Sequence, residues 1–449
     1  MADGAAADTA RLDRAVARSG DVREIVVGTG TLAGAGRLWR RTIGAQSALI
    51  VADDNTWKAA GPAVAAALES EGIAHRRIVL PGAPRLKPDR TLGADLAGRA
   101  APGEAFLALG AGVINDLTKY AAFTAGRPFL CVATAASMDG YSSAGAPLVD
   151  RGFKITIACR PAVAVLADLD IIAGAPAGMA GWGYGDMAGK IPAGADWIIA
   201  DALGVEPVDD TAWPMVQDGV RRWLERPGAV AAGERGALDE LFTGLALVGL
   251  AREAHGSSRP ASGAAHQIAH LWEMEDLTHA GERVSHGACV AVGCLAALHL
   301  YDWLLARDLT ALDADALARA ADDTDTRRAR IEAAFDHPGI AARAAEETAA
   351  KTPDHATLQA RLATLSRVWP DLRARLAAQI IPAGRMADML RAAGAPAAPG
   401  DIGLSGARLR RSVAAARFLR RRYTVLDLLD DAGLLQDALD DCFGPDAEA

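Results

Sequence analysis

Short apolar runs alternate with helical stretches over the first third of the chain, and this alternation limits the possible folds more than any other feature. A helix is predicted from Thr56 to Gly72, which has a Thr start signal, an Ala-rich body and a Gly stop. The pattern is typical of a parallel sheet with crossover helices, so this part is predicted to be a Rossmann-like α/β domain. The runs predicted to be buried strands are EIVVG from Glu24, SALIVAD from Ser47, IVL from Ile78, AFLALG from Ala105 and PFLCVAT from Pro128.

The character of the sequence changes after two further strand-like runs, KITIAC and AVAVLADLD. From about Ile171 onward the chain reads as helices separated by Gly and Pro breaks. A chain of 449 residues is longer than a typical single domain, which favours two separate cores. We therefore predict an N-terminal extension over residues 1–22, a nucleotide-binding domain over 23–172 and an all-helical domain over 173–449.

Charge and hydropathy restrict the partners of the protein. The formal net charge is −9, whereas non-specific contact with nucleic-acid phosphates needs a basic surface. The N-terminal segment lacks the apolar core of a signal peptide, and we expect no apolar run that reaches membrane-spanning length. The five scattered cysteines predict neither a disulfide framework nor a thiolate metal site. We therefore expect a cytoplasmic protein that neither binds nucleic acid nor inserts into a membrane.

Two glycine turns compete for a phosphate-binding role in the first domain. Gly28 and Gly30 follow one predicted strand, and Gly110 and Gly112 follow another. Where such a turn opens a helix, backbone N–H groups and the positive helix end face an anion, and the absent side chains let a pyrophosphate approach. We favour the second turn, because it both ends a strand and opens a helix. Either turn could also be a plain strand-to-helix connection.

Polar residues follow two other predicted strands. Asp53 ends SALIVAD and Asp54 follows it, and a carboxylate at either position can accept hydrogen bonds from an adenosine ribose. We favour Asp53, although either residue could instead be the N-cap of the next helix. The loop in VATAASMDGYSSAG offers the hydroxyls of Thr134, Ser137 and Ser143 and the charge of Asp139. Ligands of open α/β sheets bind at the C-terminal ends of strands, so we predict that this loop is functional.

The second half of the chain places two histidines one helical turn apart. His266 and His270, in SRPASGAAHQIAHLWEM, project from one face of a helix, and His286 follows in SHGACVAVG. Imidazoles that converge on one face can hold a divalent metal if a carboxylate is added. Asp186, in WGYGDMAGK, is such a carboxylate, although an acid at a helix start is also favoured by the helix dipole alone.

Six motifs in one order give the chain a family resemblance: GAGVINDLTKY, TAASMDGYSS, DLD, GYGDMAGK, GSSRPASGAAHQIAHLWEM and HGACVAVG. Together they closely resemble the sn-glycerol-1-phosphate dehydrogenases, within the superfamily of metal-dependent polyol dehydrogenases and dehydroquinate synthases. The resemblance covers roughly residues 24–300 and implies an active site in the cleft between an N-terminal nucleotide-binding domain and a C-terminal helical domain. It implies an oxidoreductase for the reversible NAD(P)-dependent reduction of dihydroxyacetone phosphate to sn-glycerol 1-phosphate. We also expect a homodimer or higher homo-oligomer.

The resemblance implies roles for particular residues. Asp186, His266 and His286 are implied to bind one metal ion, either zinc or nickel. Asp139, Asp186 and His270 are implied to contact the substrate and to act in catalysis, with His270 as a hypothetical proton relay. NAD(H) or NADP(H) is implied to contact Asp53 at its ribose and, along the second glycine turn and the polar loop, Gly110, Ala111, Gly112, Val113, Ile114, Thr134, Ala135, Ala136, Ser137 and Ser143.

The phosphate of a triose phosphate needs cations nearby. Arg259 and Lys154 are the predicted contacts, with Lys190 as a third possibility, since an Arg fork suits a phosphate and Lys supplies a point charge. Ala265 and Ala288 stand where the family often carries glutamates, which leaves the exact substrate open.

Three other functions stay open at this point. The first is a dehydroquinate synthase-like lyase that uses NAD catalytically, the second is a dehydrogenase for an unphosphorylated polyol such as glycerol, and the third is an inactive paralogue. The SMDGYSS and SRPASG motifs match the triose-phosphate enzymes better than the lyases. The helical region after about residue 307 lies outside the resemblance, and its basic face is either solvated or an oligomer contact.

Overall fold

The computed structural model describes residues 2–150 and 153–445. Its main sheet has six strands, all parallel, and two short antiparallel pairs lie outside it. In chain order the strands are β1 Glu24–Gly28, β2 Ser47–Asp53, β3 Ala74–Leu80, β4 Glu104–Gly110, β5 Phe129–Ala133, β6 Ala146–Asp150, β7 Phe153–Ile157, β8 Ala164–Asp168, β9 Thr278–His279 and β10 Glu282–Arg283. The order of strands across the main sheet is β1-β8-β5-β4-β2-β3.

Helices make up most of the remaining described residues. They connect the strands of the sheet and account for nearly all of the regular structure after β8. They are α1 Ala2–Arg18, α2 Ala35–Thr42, α3 Asp54–Glu69, α4 Arg90–Gly98, α5 Gly112–Thr124, α6 Leu169–Ala173, α7 Gly178–Ala188, α8 Lys190–Ala202, α9 Ala212–Gln217, α10 Val220–Trp223, α11 Pro227–Ala231, α12 Arg235–His255, α13 Ala264–Met274, α14 His286–Leu305, α15 Ala314–Ala320, α16 Thr324–Ala334, α17 Pro338–Ala349, α18 His355–Gln379, α19 Ala383–Ala392, α20 Gly406–Ala416, α21 Val425–Asp431 and α22 Leu435–Phe443.

The predicted fold class, a Rossmann-like α/β part followed by a helical part, is confirmed. Each of the five predicted strands overlaps a strand of the main sheet, and β1 and β2 have the predicted bounds. The helix predicted from Thr56 begins two residues earlier, at Asp54, because Asp53 provides the N-cap. The strands in the middle of the sheet are buried along their whole length, as expected for a parallel sheet covered by helices on both faces.

The core of the sheet is built from aliphatic side chains of neighbouring strands and the helices that cover them. Ile50, Leu107, Leu130 and Leu166 are almost fully buried on four strands that lie side by side. Trp39 of α2 packs into the same cluster and donates a hydrogen bond from Nε1 to the carbonyl of Ala45. This rigid layer fixes the positions of the loops that follow each strand.

The chain forms two compact units, each assembled from segments that are separate in the sequence. Unit 1 comprises Met1–Met187, Thr211–Ser258 and Ala392–Ala395, and unit 2 comprises Ala188–Asp210, Arg259–Arg391 and Pro396–Ala449. Unit 1 contains the main sheet, together with α1, which packs against α12. The domain boundaries predicted at residues 22 and 172 stay a prediction. The strands of the main sheet do end at Asp168, but unit 1 also includes helical segments much further along the chain.

The expectation that no apolar run reaches membrane-spanning length is wrong. Within the described residues, α14 is long and apolar enough to cross a membrane by length and composition alone. However, 83% of its most apolar window is buried inside the protein, as in the core helix of a soluble protein. One such helix is weak evidence for a membrane span. The five cysteines all lie in the described part of the chain and form no disulfide with one another.

Candidate active site

The predicted cofactor residues of unit 1 come together at one edge of the main sheet. Strands β5, β4 and β2 are neighbours and parallel, so the residues at their carboxyl ends share that edge. Asp53 ends β2, Gly110 ends β4, and Thr134 follows β5 and donates its backbone N–H to the carbonyl of Gly110 at 3.3 Å. This is the edge at which open α/β sheets bind ligands.

The first of the two glycine turns is already occupied by a side chain of the protein. The carboxylate of Asp168, at the end of β8, accepts hydrogen bonds from the backbone N–H of Gly30 at 3.2 Å and of Leu32 at 2.8 Å. The same carboxylate also caps α6 by accepting from the N–H of Asp170. Backbone donors that serve Asp168 are not available to a pyrophosphate, which favours the second turn.

The second glycine turn has the geometry that an anion site requires. Ala111 is the N-cap of α5 and makes no capping hydrogen bond through its side chain, so Gly112, Val113 and Ile114 form an uncapped first turn. A Cβ at Gly110 would lie 2.6 Å from the Cβ of Ile114, so the tight turn into α5 needs glycine there. The same strand-to-helix arrangement is the reason for favouring this turn from the sequence.

Asp53 takes the alternative role that the sequence left open for it. One carboxylate oxygen accepts the backbone N–H of Thr56 at 2.8 Å, and the hydroxyl of Thr56 accepts the N–H of Asp53 at 3.0 Å, which completes a capping box for α3. The carboxylate is half-buried at the ligand-binding edge. Its contact with a ribose stays a prediction.

A buried lysine that the sequence analysis did not single out holds the polar loop in place. The ammonium group of Lys119, on α5, donates to the carbonyls of Gly140 at 2.8 Å, Ser143 at 2.9 Å and Gly145 at 3.2 Å. Burial lowers the pKa of Lys119, and the nearby carboxylate of Asp116 opposes that shift. Lys119 lies within the GAGVINDLTKY motif, but nothing in the sequence shows that its side chain reaches the loop 21 residues or more downstream.

Asp139 of the polar loop is held from two sides by residues of unit 1. Its backbone N–H donates to Oδ2 of Asp186 at 3.0 Å, so two predicted catalytic residues are in direct contact. Its carboxylate accepts a hydrogen bond from Nη1 of Arg252, on α12, at 2.7 Å. Both carboxylates are almost fully buried, and Asp186 has no exposed surface. Arg252 was not predicted as a site residue, because a cation on an amphipathic helix gives no sign in the sequence of its distant partner.

Two glycines let helices of unit 1 approach the polar loop closely. A Cβ at Gly183, on α7, would lie 1.9 Å from the carbonyl oxygen of Ala136. A Cβ at Gly249, on α12, would lie 2.2 Å from Oγ of Ser142 and 2.9 Å from the carbonyl oxygen of Asp139. No side chain fits at either position without moving the loop. The predicted cofactor contacts of the polar loop are also buried: Thr134, Ala135, Ala136, Ser137 and Ser143.

The three predicted histidines converge within unit 2. His266 and His270 lie on α13, and His286 is the first residue of α14, which follows the N-cap Ser285. The ring centroids are 5.6 Å apart for His266 and His286, 5.8 Å for His270 and His286, and 6.1 Å for His266 and His270. The ring of His266 is almost fully buried, whereas His270 and His286 keep 22% and 28% of their side-chain surface.

Glu273 adds a carboxylate that the sequence analysis overlooked. Its Oε1 lies 3.0 Å from Nδ1 of His286, and its Oε2 lies 4.0 Å from Nε2 of His270. One ligand atom from each of His270, Glu273 and His286 lies within 4.8 Å of the others, so this group could hold a metal ion. A sequence signal existed, because Glu273 follows His266 by seven residues and therefore shares its helical face.

Lys190 also joins the histidine cluster. Its ammonium nitrogen lies 3.3 Å from Nε2 of His266, and the lysine has no exposed surface. In the sequence, Lys190 follows Asp186 by four residues, and only Gly189, in a right-handed helical conformation, separates α7 from α8. Lys190 is buried beside His266, a predicted metal ligand. A role in the site therefore suits Lys190 better than a role as a solvent-exposed charge.

The structure describes the side chain of only one of the two other predicted phosphate contacts, Arg259 and Lys154. Arg259 is buried, and its guanidinium donates to the carbonyls of Tyr423 and Asp196, both at 3.0 Å, and lies 3.2 Å from Glu206. These contacts argue against a role in substrate binding, and burial lowers the pKa of Arg259. Lys154 is on β7, but its side chain lies outside the described residues.

Comparisons with known proteins identify the family of the chain. The family model described as iron-containing alcohol dehydrogenase matches residues 26–176. A curated glycerol-1-phosphate dehydrogenase from Bacillus velezensis is 37% identical over 249 residues, which cover 55% of this chain and 63% of the relative. Another, from Thermofilum pendens, is 33% identical over 274 residues, which cover 60% of this chain and 77% of the relative. The chain belongs to the glycerol-1-phosphate dehydrogenase family.

The fold agrees with membership of this family, but family membership does not by itself establish the activity. A solved glycerol dehydrogenase from Schizosaccharomyces pombe matches with a TM-score of 0.57 at 14% identity, covering 94% of this chain and 90% of that one, which shows a shared fold. The chain spans a little under two thirds of the length of the first curated glycerol-1-phosphate dehydrogenases that it matches. The predicted resemblance is confirmed at the level of the family.

Proposed function

We propose that the protein catalyses the reversible, NAD(P)-dependent and metal-dependent reduction of dihydroxyacetone phosphate to sn-glycerol 1-phosphate. The observation that carries the proposal is the convergence of three histidines and a glutamate in a chain of the glycerol-1-phosphate dehydrogenase family. Several curated relatives named for this activity are 33% to 38% identical to the chain. The glycerol dehydrogenases among the structural neighbours share only the fold and give less support to an unphosphorylated substrate.

We propose Asp186, His266 and His286 as the ligands of one divalent metal ion, either zinc or nickel. Imidazole nitrogens and a carboxylate oxygen are the donor types that such ions prefer. Glu273 at Nδ1 of His286 leaves Nε2 of that ring for the ion, and a carboxylate on the remote nitrogen is the usual support of a metal-bound histidine. The buried carboxylate of Asp186 is suited to a cationic partner, because an ionised group away from water needs compensation. The donor set therefore fits the ion that the family implies.

A bound divalent ion would polarise the carbonyl oxygen of the substrate and stabilise the negative charge that develops on the oxygen during oxidation of the alcohol. The protein side chains have separate tasks. His270, partly exposed beside His286, is proposed to hold the proton that the substrate oxygen gains or loses. Asp139 is proposed to orient the substrate, because Arg252 and the contact with Asp186 fix its position.

The nicotinamide cofactor is proposed to bind along the carboxyl edge of the main sheet. The uncapped first turn of α5, from Gly112 to Ile114, would receive the pyrophosphate, and the buried polar loop would line the nicotinamide side. Asp53 is proposed to contact the ribose. We also propose that the protein is a homo-oligomer and that it is located in the cytoplasm.

The decisive assay is oxidation of NADH and of NADPH by the metal-reconstituted protein. We expect net oxidation with dihydroxyacetone phosphate at a rate well above that with dihydroxyacetone. Equal rates with the two ketones would instead indicate a polyol dehydrogenase. Conversion of a phosphorylated substrate without net oxidation of NADH would indicate a lyase of the dehydroquinate synthase type. Metal analysis of Asp186→Asn, His266→Ala and His286→Ala should show loss of the ion in each variant, and retention of the ion in any of them would remove that residue from the ligand set.

A further inference from the structure

A buried carboxylate in unit 2 joins the helices that carry the histidine cluster. Asp196 lies on α8 and has no exposed surface. Its Oδ2 accepts a hydrogen bond from the backbone N–H of Ala264 at 2.7 Å. Its Oδ1 accepts one from the hydroxyl of Tyr301, on α14, at 2.7 Å and one from the backbone N–H of Val425 at 2.8 Å. Because Ala264 begins α13 and Val425 begins α21, one side chain connects α8 to three other helices.

The contact with Ala264 makes Asp196 the N-terminal cap of the helix that carries His266. The N-cap position itself is Gly263, which has no side chain that could accept the N–H groups of the first turn. A Cβ at Gly263 would lie 2.1 Å from Oδ2 of Asp196, so the glycine leaves the space through which a carboxylate of another helix reaches the end of α13. The negative charge of the carboxylate also interacts favourably with the positive end of the helix.

The residues that follow this cap on α13 belong to the proposed site. His266 is the third residue of α13, two positions after Ala264. Lys190 begins α8, and its ammonium nitrogen lies 3.3 Å from Nε2 of His266. Helices α8 and α13 are therefore in contact at two points, one at the cap and one at the ring of a predicted metal ligand. A shift of α13 against α8 would move His266 away from Lys190 and would carry His270 and Glu273 with it.

Tyr301 extends the same connection to the helix that begins at His286. Its ring is fully buried, and its hydroxyl donates to Asp196 from the middle of the contact between α8 and α14. Helix α14 also approaches α13 closely, since a Cβ at Gly293 would lie 2.5 Å from the carbonyl oxygen of Ala265. The helix of His286 is thus fixed against α8 by a hydrogen bond and against α13 by close backbone packing.

Arg259 helps to compensate the charge of the buried carboxylate. Burial raises the pKa of Asp196, whereas the hydrogen bonds that it accepts and the positive charge of Arg259 oppose this shift. Nη2 of Arg259 also donates to the backbone carbonyl of Asp196 at 3.0 Å. An ionised group away from water needs such hydrogen bonds and an opposite charge. The arginine that the sequence predicted as a phosphate contact therefore supports the Asp196 network.

We infer that Asp196 is a positioning residue for the metal ligands His266 and His286. The inference rests on the proposed function, in which these two histidines bind a divalent ion. Asp196 acts through the helices, because it caps α13, holds α14 through Tyr301 and lies on the same helix as Lys190. Ligands that are already held in place bind a metal ion with a smaller loss of conformational entropy. The affinity for the ion should therefore depend on Asp196, although its carboxylate is bound to protein groups.

The test compares Asp196→Asn with Asp302→Asn by titration of zinc against a competing chelator. We expect Asp196→Asn to lower the zinc affinity by about 10- to 100-fold, the usual effect of losing a residue that supports metal ligands, because the amide turns an N–H group toward a donor. Asp302, on α14, is the matched control. Its Oδ2 accepts the N–H of Ala383 at 2.8 Å and so caps α19, which carries no histidine. Asp302→Asn should leave the affinity unchanged, and equal affinities in the two variants would overturn the inference.

Tyr301→Phe and Gly263→Ala test the same contacts without changing the carboxylate. The first removes only the hydroxyl that joins α14 to Asp196, and the second adds the Cβ that meets Oδ2. The φ of Gly263 is −140°, so alanine brings no left-handed backbone strain. Both variants should lower the zinc affinity, by a smaller factor for Tyr301→Phe. They decide the question if circular dichroism shows that Asp196→Asn is unfolded, and unchanged affinity in both would reject the inference.

Zinc affinity separates a positioning role from a role in stability alone, and it also separates the inference from the proposed activity. If Asp196 only stabilises the fold, urea denaturation should show a lower free energy of unfolding for Asp196→Asn while the zinc affinity of the folded variant is unchanged. If the wild-type protein binds zinc but does not reduce dihydroxyacetone phosphate, the proposed function fails and the titration still tests Asp196. If the wild-type protein binds neither zinc nor nickel, the inference fails together with the ligand assignment.

Discussion

Oε1 of Glu273 lies 3.0 Å from Nδ1 of His286, and this contact joins the last turn of α13 to the first residue of α14. A carboxylate at Nδ1 fixes the ring orientation and the tautomer, so that Nε2 presents its lone pair to the other side. Through this contact, α13 and α14 bring His266 and His270 of one sequence motif close to His286 of the next motif.

Replacing Glu273 should weaken metal binding. We expect Glu273→Gln to lower the affinity for zinc or nickel by about 10- to 100-fold, because the amide supports the ring of His286 less strongly than the carboxylate does. Titration against a competing chelator measures the affinity. Glu275→Gln is the control, since Glu275 pairs at the surface with Arg408 at 2.9 Å. Equal affinities for the two variants would show that Glu273 has no part in the metal site.

Replacing His270 should separate metal binding from turnover. We expect His270→Ala to lower kcat by about 100- to 10,000-fold, the usual contribution of a general acid–base group, while bound metal stays near one per chain. Metal content by mass spectrometry and steady-state kinetics on the same sample provide the two readouts. Loss of the metal would contradict the proposal and would favour His270, Glu273 and His286 as the ligand group instead.

Replacing Arg252 should disturb the position of Asp139 without removing any metal ligand. We expect Arg252→Met to lower kcat/KM by about 10- to 100-fold, since the carboxylate of Asp139 loses a charge-assisted hydrogen bond of 2.7 Å. Arg235→Met, on the same helix, is the control, because its ion pair with Asp170 is exposed and should contribute little. If the two variants have the same kinetics, Arg252 does not position Asp139.

Asp431 should give the stability of the protein a measurable dependence on pH. Burial raises the pKa of its carboxyl to about 6, although Arg361 and the hydroxyl of Tyr423 favour the charged form. Between the unfolded value of 3.8 and about 6, the folded protein keeps a proton that the unfolded chain has lost. The contribution of Asp431 to the free energy of unfolding therefore falls as pH rises through this range, by up to about 3 kcal/mol, and is constant above it.

The variant Asp431→Asn lacks this titration. Its free energy of unfolding relative to the wild-type protein should increase from pH 4 to pH 6.5, as measured by urea denaturation at several pH values. A difference between the two proteins that does not change with pH would show that the carboxyl titrates in the same range in the folded and unfolded states.

Much of the site could be predicted because its signals are local. The strand-to-helix turn at Gly110 and the polar loop after β5 follow strands whose apolar pattern is plain, and parallel strands bring their carboxyl ends to one edge. The spacing of His266 and His270 fixes their common helical face. Glu273 obeys the same rule and could have been found by extending the pattern one turn further.

The sequence by itself determined the α/β half, the helical half, the glycine turn and the histidine helix, because each depends on hydrophobic periodicity or on residues within a few positions of one another. Only the tertiary structure decided which polar groups meet across long stretches of chain. It assigned Arg259 to protein carbonyls, Lys119 and Arg252 to the polar loop, and Arg422 to the loop before the histidine helix. Such partners depend on how helices pack. Packing is set by the fit of many side chains at once, which no local pattern in the sequence records.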